Sequence, residues 1–158
     1  ELADYVNNTD DDLIFAIDHE FYDRPDGFPK MRETYNMEIS QDQIKTMDVG
    51  LTFQAIDKRQ VDVAMVFATD GKLKKFNLQV LKDDKNFFPI YNLSMCVRQE
   101  FLDKYPEIED DLEKMLSFLD TKTMQELNYR VDVNGEDEKA VAKDFLMNND
   151  LIENDGEY

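Results

Sequence analysis

An open α/β fold, a mostly parallel sheet with helices on both faces followed by carboxyl-terminal helices, is the class this sequence predicts. Three observations predict it. Short apolar runs alternate with amphipathic stretches of helical spacing over the first half of the chain, the pattern of an α/β layer. Val61 to Phe67 is almost continuously apolar, as in a parallel strand covered on both faces. From Arg98 onward the spacing is helical alone.

Glu1 to Asp12 is polar and acidic, closing a helix that carries Leu2, Tyr5 and Val6, and Asp10-Asp11-Asp12 is a solvated charge run. Leu13 to Ile17 is the first strand. It empties into the loop His19 to Gly27, where Pro25 discourages helix at Arg24 and Asp26 can cap a helix through about Asn36. Phe28, Met31 and Tyr35 give that helix its apolar face, and Pro29 is tolerated in the first turn. Ile44 to Met47 is a second strand, and Asp48 can cap a helix over Gly50 to Lys58 with Leu51, Ala55 and Ile56 toward the sheet. Val61 to Phe67 is the third strand, Thr69 or Asp70 caps a short helical turn through Phe76, and Leu78 to Leu81 is a fourth strand. After the charged loop Lys82 to Asn86, the stretches Phe87 to Tyr91 and Leu93 to Val97 form an extended apolar segment that Pro89 confines to an edge or crossover. Helices follow over Glu107 to Leu119, then from the caps Asp120 and Asp137, with Met124, Leu127, Val131, Val141, Ala142, Phe145 and Leu146 inward. The acidic tail from Asn148 to Tyr158 is expected to fray.

Composition sets further bounds. At 158 residues and 42% apolar content the chain can bury a core of its own. Its 36 acidic and 18 basic residues give a net charge of −18, which repels nucleic-acid phosphates and anionic lipid and argues against both as partners. The charge serves as a solvated surface or as modest steering of a cationic ligand. Cys96 is the only cysteine, so no intrachain disulfide or cysteine metal cluster is available, and its apolar run suggests a small buried thiol. The single histidine, His19, leaves little for zinc or for a serine-hydrolase triad. There is no glycine-rich phosphate loop, no GxSxG and no EF-hand loop, so no cofactor or metal is expected. The chain has no apolar run of membrane length and opens on Glu1-Leu2-Ala3-Asp4 without a signal peptide, which fits a cytosolic protein, a mature secreted one or a fragment.

Three residues stand at predicted strand ends: Arg24, Phe67 and Tyr91. A parallel sheet brings such positions to its carboxyl edge, where open α/β folds bind ligands. A guanidinium offers paired donors that match a carboxylate, although Arg24 can equally pair with Glu20, Asp23 or Asp26. Phe67 and Tyr91 are either core aromatics or a cation-π wall for a quaternary ammonium group. His19 and Glu20 admit a general acid/base reading, as in a small acidic α/β enzyme.

The stretches His19-Glu20-Phe21-Tyr22-Asp23-Arg24-Pro25-Asp26-Gly27, Lys45-Thr46-Met47-Asp48, Val61-Asp62-Val63, Phe67-Ala68-Thr69-Asp70-Gly71 and Leu81 to Tyr91 resemble the substrate-binding component of osmoprotectant ABC transporters. Met124-Gln125-Glu126-Leu127-Asn128-Tyr129 and Val131-Asp132-Val133 match the same family, so the motifs run in one order over nearly the whole chain. The resemblance implies a periplasmic-binding-protein-like, two-lobed receptor that closes on glycine betaine, carnitine, choline or a related betaine and hands it to a membrane permease. It implies that Arg24 holds the ligand carboxylate and that Phe67 and Tyr91 help cage the trimethylammonium. His19 and Thr69, which stand within those motifs, complete the candidate ligand-binding set. The family usually has tyrosine where this chain has Phe67; the ring keeps its π face and loses a hydroxyl.

The same resemblance assigns residues 1–90 to the second lobe and 91–158 to a crossover strand and helices of the first lobe, whose remainder precedes the point matching Glu1. Dimerisation or strand exchange between copies is expected of such a piece. No enzymatic activity is expected, and the place is the extracellular or periplasmic face of the membrane, as an anchored lipoprotein or a permease fusion. A ring-bearing betaine such as ergothioneine is the alternative ligand, and a ligand-sensing module attached to a permease the alternative role.

Overall fold

A computed structural model describes residues 1–9 and 12–153; most of the Asp10 to Asp12 charge run and the end of the acidic tail lie outside the described residues. The chain divides into two compact units, one of residues 1–67 and 76–89, the other of residues 68–75 and 90–158.

The first unit is built on strand β1 (Phe15–Ile17), flanked by β2 (Ile44–Thr46) and β3 (Val63–Ala64) in a three-stranded parallel sheet of order β2-β1-β3. Phe15 pairs with Ile44 on one side and Val63 on the other, and Met47 N–H and Met65 N–H donate to the carbonyls of Ile17 and Ala16. Strand alternation divides β1 between two cores. Phe15 and Ile17 point to a cluster with Phe21, Phe28, Met37 and Ile39, covered by helix α1 (Leu2–Asn8), α2 (His19–Asp23) and α3 (Phe28–Tyr35). Ala16 points the other way, to Ala55 and Val61, under helix α4 (Val49–Asp57). Helices therefore cover both faces, as the apolarity of the strands predicts.

Several local expectations are corrected. The loop after β1 opens with helix α2, because the Asp18 carboxylate accepts from Phe21 N–H at 3.0 Å and caps it. Asp26 and Asp48 make no side-chain cap; Asp26 is engaged by Arg24 instead. On α4, Leu51 is exposed while Thr52 and Phe53 are buried, with the Phe53 ring stacked on Phe76 at 6.2 Å. Ala55 and Ile56 face the Ala16 cluster as the spacing reads them, while Thr52 and Phe53 take the buried place expected of Leu51. Regular pairing in the third strand is confined to Val63–Ala64, and residues 78–81 form no strand, since their donors and acceptors meet no partner strand among the described residues.

The second unit is helical: α5 (Lys72–Lys75), α6 (Gln99–Lys104), α7 (Ile108–Leu116), α8 (Thr121–Asp132) and α9 (Glu138–Asn148). Asp120 and Asp137 cap α8 and α9 as expected, accepting from Thr123 N–H and Ala140 N–H. Arg130 on α8 donates to Glu136 at 2.6 Å and to Asp144 on α9 at 2.8 Å, tying the two helices together. Residues 90–97 form no regular element, and Cys96 is exposed rather than buried because its segment joins no sheet that would carry it inward. Among the described residues, no helix is long and apolar enough to cross a membrane.

Candidate functional site

Parallel strands send their following segments out of one edge, and in the first unit those segments carry His19, Arg24 and Phe67. His19 is the first residue of α2 and is exposed. Arg24 ends the helix with extended backbone, the conformation Pro25 imposes on the residue before it. The loop it begins is clamped: Gly27 N–H donates to Arg24 O at 2.9 Å, and a Cβ on Gly27 would stand 2.2 Å from Phe21 O.

Arg24 is 42% exposed at its side chain, with Nε donating to Asp26 Oδ1 at 2.8 Å and Nη1 standing 3.5 Å from Glu20 Oε1. The pairing with neighbouring acids is thus real. Such exposed pairs contribute only about 0 to 1 kcal/mol, so a carboxylate held in a less hydrated cleft can share or replace them.

Phe67 lies three residues beyond β3 and is 60% exposed, so the core reading fails for it. β3 stops pairing before the ring is reached, which leaves it on the rim rather than under a helix. The aromatic segment further on is held differently. Phe88 stacks on Phe21 of α2 at 5.8 Å, and Phe87 meets Phe88 edge-on at 4.9 Å.

What fixes that segment is Asp83, a residue that reads in the sequence as part of a charged loop. Its carboxylate accepts from Tyr35 Oη, from Phe87 N–H at 3.0 Å and from Phe88 N–H at 2.8 Å. Lys85 N–H donates to the same tyrosine oxygen, and Lys85 Nζ donates to Thr34 O at 2.7 Å. The one available signal is an aspartate three residues before Asn86, a residue type that tolerates the left-handed turn it adopts at φ 52°.

Desolvation works to raise the Asp83 pKa, but the hydrogen bonds from Tyr35, Phe87, Phe88 and Lys85 together outweigh it and hold the carboxyl below its ordinary value. Desolvation, then Asp83, pushes the Tyr35 phenol up. Asp83 therefore contributes stability that is present above the ordinary aspartate range and lost as pH falls through the depressed folded value. Tyr35 contributes stability present below the ordinary tyrosine range and lost as pH rises through its raised value. Asp83→Ala is expected to cost about 1 to 3 kcal/mol at neutral pH by stranding these donors. Urea denaturation as a function of pH checks it: the variant's deficit should shrink toward strongly acidic pH, and a deficit independent of pH would contradict the clasp.

In the second unit, Thr69 is half-buried and held through its backbone. Asn128 Nδ2 donates to Thr69 O at 2.8 Å and Gln125 Nε2 to Ala68 O at 2.5 Å, while Asp70 Oδ1 accepts from Lys72 N–H at 2.9 Å. Gly71 makes the docking possible, since a Cβ there would fall 2.3 Å from Tyr129 N. Two of the motifs read in the sequence, Ala68 to Gly71 and Gln125 to Tyr129, are thereby bonded to each other. Tyr91 is 76% exposed on the irregular segment, not in a core.

Two surface depressions, one lined by Met147, Asn148 and Leu151 and the other by Pro29, Arg32 and Met37, include none of the candidate residues. No group of His, Cys, Asp or Glu among the described residues is arranged to hold a metal ion.

A protein family described as the substrate binding domain of ABC-type glycine betaine transport system matches residues 1–148. A glycine-betaine-binding protein of Pseudomonas aeruginosa is 43% identical over 140 residues, covering 89% of this chain and 45% of that protein. An ergothioneine transport permease/ergothioneine binding protein of Helicobacter pylori is 37% identical over 146 residues, covering 92% of this chain and 25% of that protein. A crystal structure of a glycine betaine/carnitine/choline ABC transporter superposes with a TM-score of 0.80 at 31% identity, covering 95% of this chain and 52% of the solved one. The chain thus spans about half the length of the solved relative and less than half of the other two.

Proposed function

The chain belongs to the family of substrate binding domains of ABC-type glycine betaine transport systems, and from that premise we propose that it is part of a receptor for a quaternary ammonium zwitterion. The receptor is not an enzyme: it closes on its ligand between two lobes and presents it to a permease at the extracellular or periplasmic face of the membrane. Residues 1–90 form most of one lobe, and residues 91–158 cross to the other. The break between compact units at Pro89 and Ile90 supports that division, with residues 68–75 grouping with the later part.

The observation that carries the reading is the exposure of Phe67 at the carboxyl edge that also issues Arg24. An aromatic ring with no core role on a ligand-binding rim suits a methylated cation, whose attraction to a ring face is worth about 0.5 to 2 kcal/mol. Arg24 serves the carboxylate; His19 of the same unit, and Tyr91 and Thr69 of the second unit, are the other candidate ligand-binding residues. These contacts sum to less than the roughly 8 kcal/mol that micromolar affinity requires, so this chain alone binds weakly.

Titration by NMR with glycine betaine and with choline tests the role of Phe67. Phe67→Ala is expected to weaken both ligands alike, by about 2- to 30-fold, because both carry the trimethylammonium group. No change for either ligand would remove Phe67 from the site. The second reading, a ring-bearing betaine, is favoured by the similarity to the ergothioneine-binding relative. Ergothioneine binding at least tenfold tighter than glycine betaine would decide for it.

A further inference from the structure

Helices α2 and α3 are joined by the turn of residues 24–27, and a second connection between them runs through Asp83 and Phe88. All of these residues belong to the first unit. At one end of this connection the Asp83 carboxylate accepts from Oη of Tyr35, the last residue of α3, and the same carboxylate accepts from the N–H groups of Phe87 and Phe88. At the other end the Phe88 ring stacks on Phe21, in the middle of α2, with an interplanar angle of 24°. Asp83 thus braces one helix against the other.

Phe21 is where the brace meets the loop that carries Arg24. Its side chain is buried in the cluster shared with Phe28, its N–H is held by Asp18, and its carbonyl oxygen stands so near Gly27 that a Cβ there would fall 2.2 Å away. Arg24 N–H donates to Glu20 O at 3.0 Å, within the same helical turn. A shift of Phe21 therefore carries the Arg24 backbone with it. A guanidinium grips a carboxylate through paired, directional bonds, so a displacement on the order of 1 Å is enough to lose one of them. A ring face attracts a methylated cation over a wider range of positions.

We infer that Asp83 is a positioning residue for ligand discrimination: through Phe88 and Phe21 it fixes α2 so that Arg24 meets a carboxylate. The inference rests on the carboxylate role proposed for Arg24. Its effect falls on the carboxylate end of the ligand, because Phe67 follows a different strand, β3.

NMR titration of Asp83→Asn and Phe88→Ala with glycine betaine and choline tests the inference. Asp83→Asn keeps the size of the side chain but sets an amide donor against one of the donors that the carboxylate accepts from. Phe88→Ala removes only the stacked ring, at a site 41% exposed, and circular dichroism confirms that the fold is kept. Both variants are expected to weaken glycine betaine about 3- to 30-fold and to leave choline within about twofold, whereas a general loss of stability would lower both ligands together. Without ligand, the Arg24 Nε–Hε resonance, assigned by its absence from Arg24→Lys, should shift in both variants. The inference is overturned by an unmoved Arg24 resonance, by equal losses for the two ligands, or by unchanged betaine affinity where Arg24→Ala lowers it. A shifted resonance, with betaine binding that Arg24→Ala itself does not weaken, would leave the brace standing and overturn the carboxylate role instead.

Discussion

Phe28→Ala is expected to lower the stability of the first unit by about 3 to 5 kcal/mol, the range for emptying a buried aromatic site. Phe28 is fully buried among Phe15, Ile17 and Phe21, its ring stacks with Tyr22 at 6.1 Å, and the Arg32 guanidinium lies over it at 5.9 Å. It also anchors the end of the loop that begins at Arg24. The chain has no slack there, because Gly27 already brings its backbone against Phe21 O. Alanine therefore leaves a cavity that the loop cannot collapse into, and the Arg24 side chain loses its fixed base. Urea denaturation followed by circular dichroism measures the effect as a fall in midpoint. Arg24→Ala is the comparison: at an exposed site it should change stability by no more than about 0.5 kcal/mol. If Phe28→Ala cost less than Arg24→Ala, the loop would not be anchored by the core in the way described.

The parts of the fold governed by near neighbours were legible in the sequence. Asp120 and Asp137 cap the helices they precede, the extended conformation of Arg24 follows from Pro25, and α3 runs to Asn36 as its apolar spacing requires. Short apolar runs were less informative, because a strand exists only where another strand pairs with it. Residues 15–17 found β2 and β3 on either side, whereas residues 78–81 and 93–97 found none, and the same uncertainty misplaced the Cys96 thiol. The candidate site divides in the same way. Arg24 and Phe67 follow strands that the pattern identifies, and parallel pairing sends the segments after those strands out of the same edge. Asp83 was hidden because its role depends on Tyr35, 48 residues earlier, and on backbone donors that carry no sequence mark.

The second large effect concerns ligand discrimination. Glycine betaine and choline share a trimethylammonium group, and only the betaine has a carboxylate. A guanidinium that donates to that carboxylate forms a charge-assisted pair worth about 1.5 to 3 kcal/mol, which choline's hydroxyl does not replace. Removing Arg24 should therefore cost the betaine about 10- to 150-fold in affinity and leave choline nearly unchanged. Asp26 and Glu20 sharpen the contrast, since without the guanidinium their negative charges face the incoming carboxylate while remaining attractive to a bare cation. Phe67→Ala affects both ligands together, so the two substitutions separate the two ends of a zwitterion.

The most direct test is a pair of NMR titrations, glycine betaine and choline, on the chain and on Arg24→Ala. Loss of the betaine alone, with choline binding retained within about twofold, is the predicted result. Equal losses for both ligands, or no loss for either, would contradict the assignment of Arg24 to the carboxylate and with it the zwitterion site.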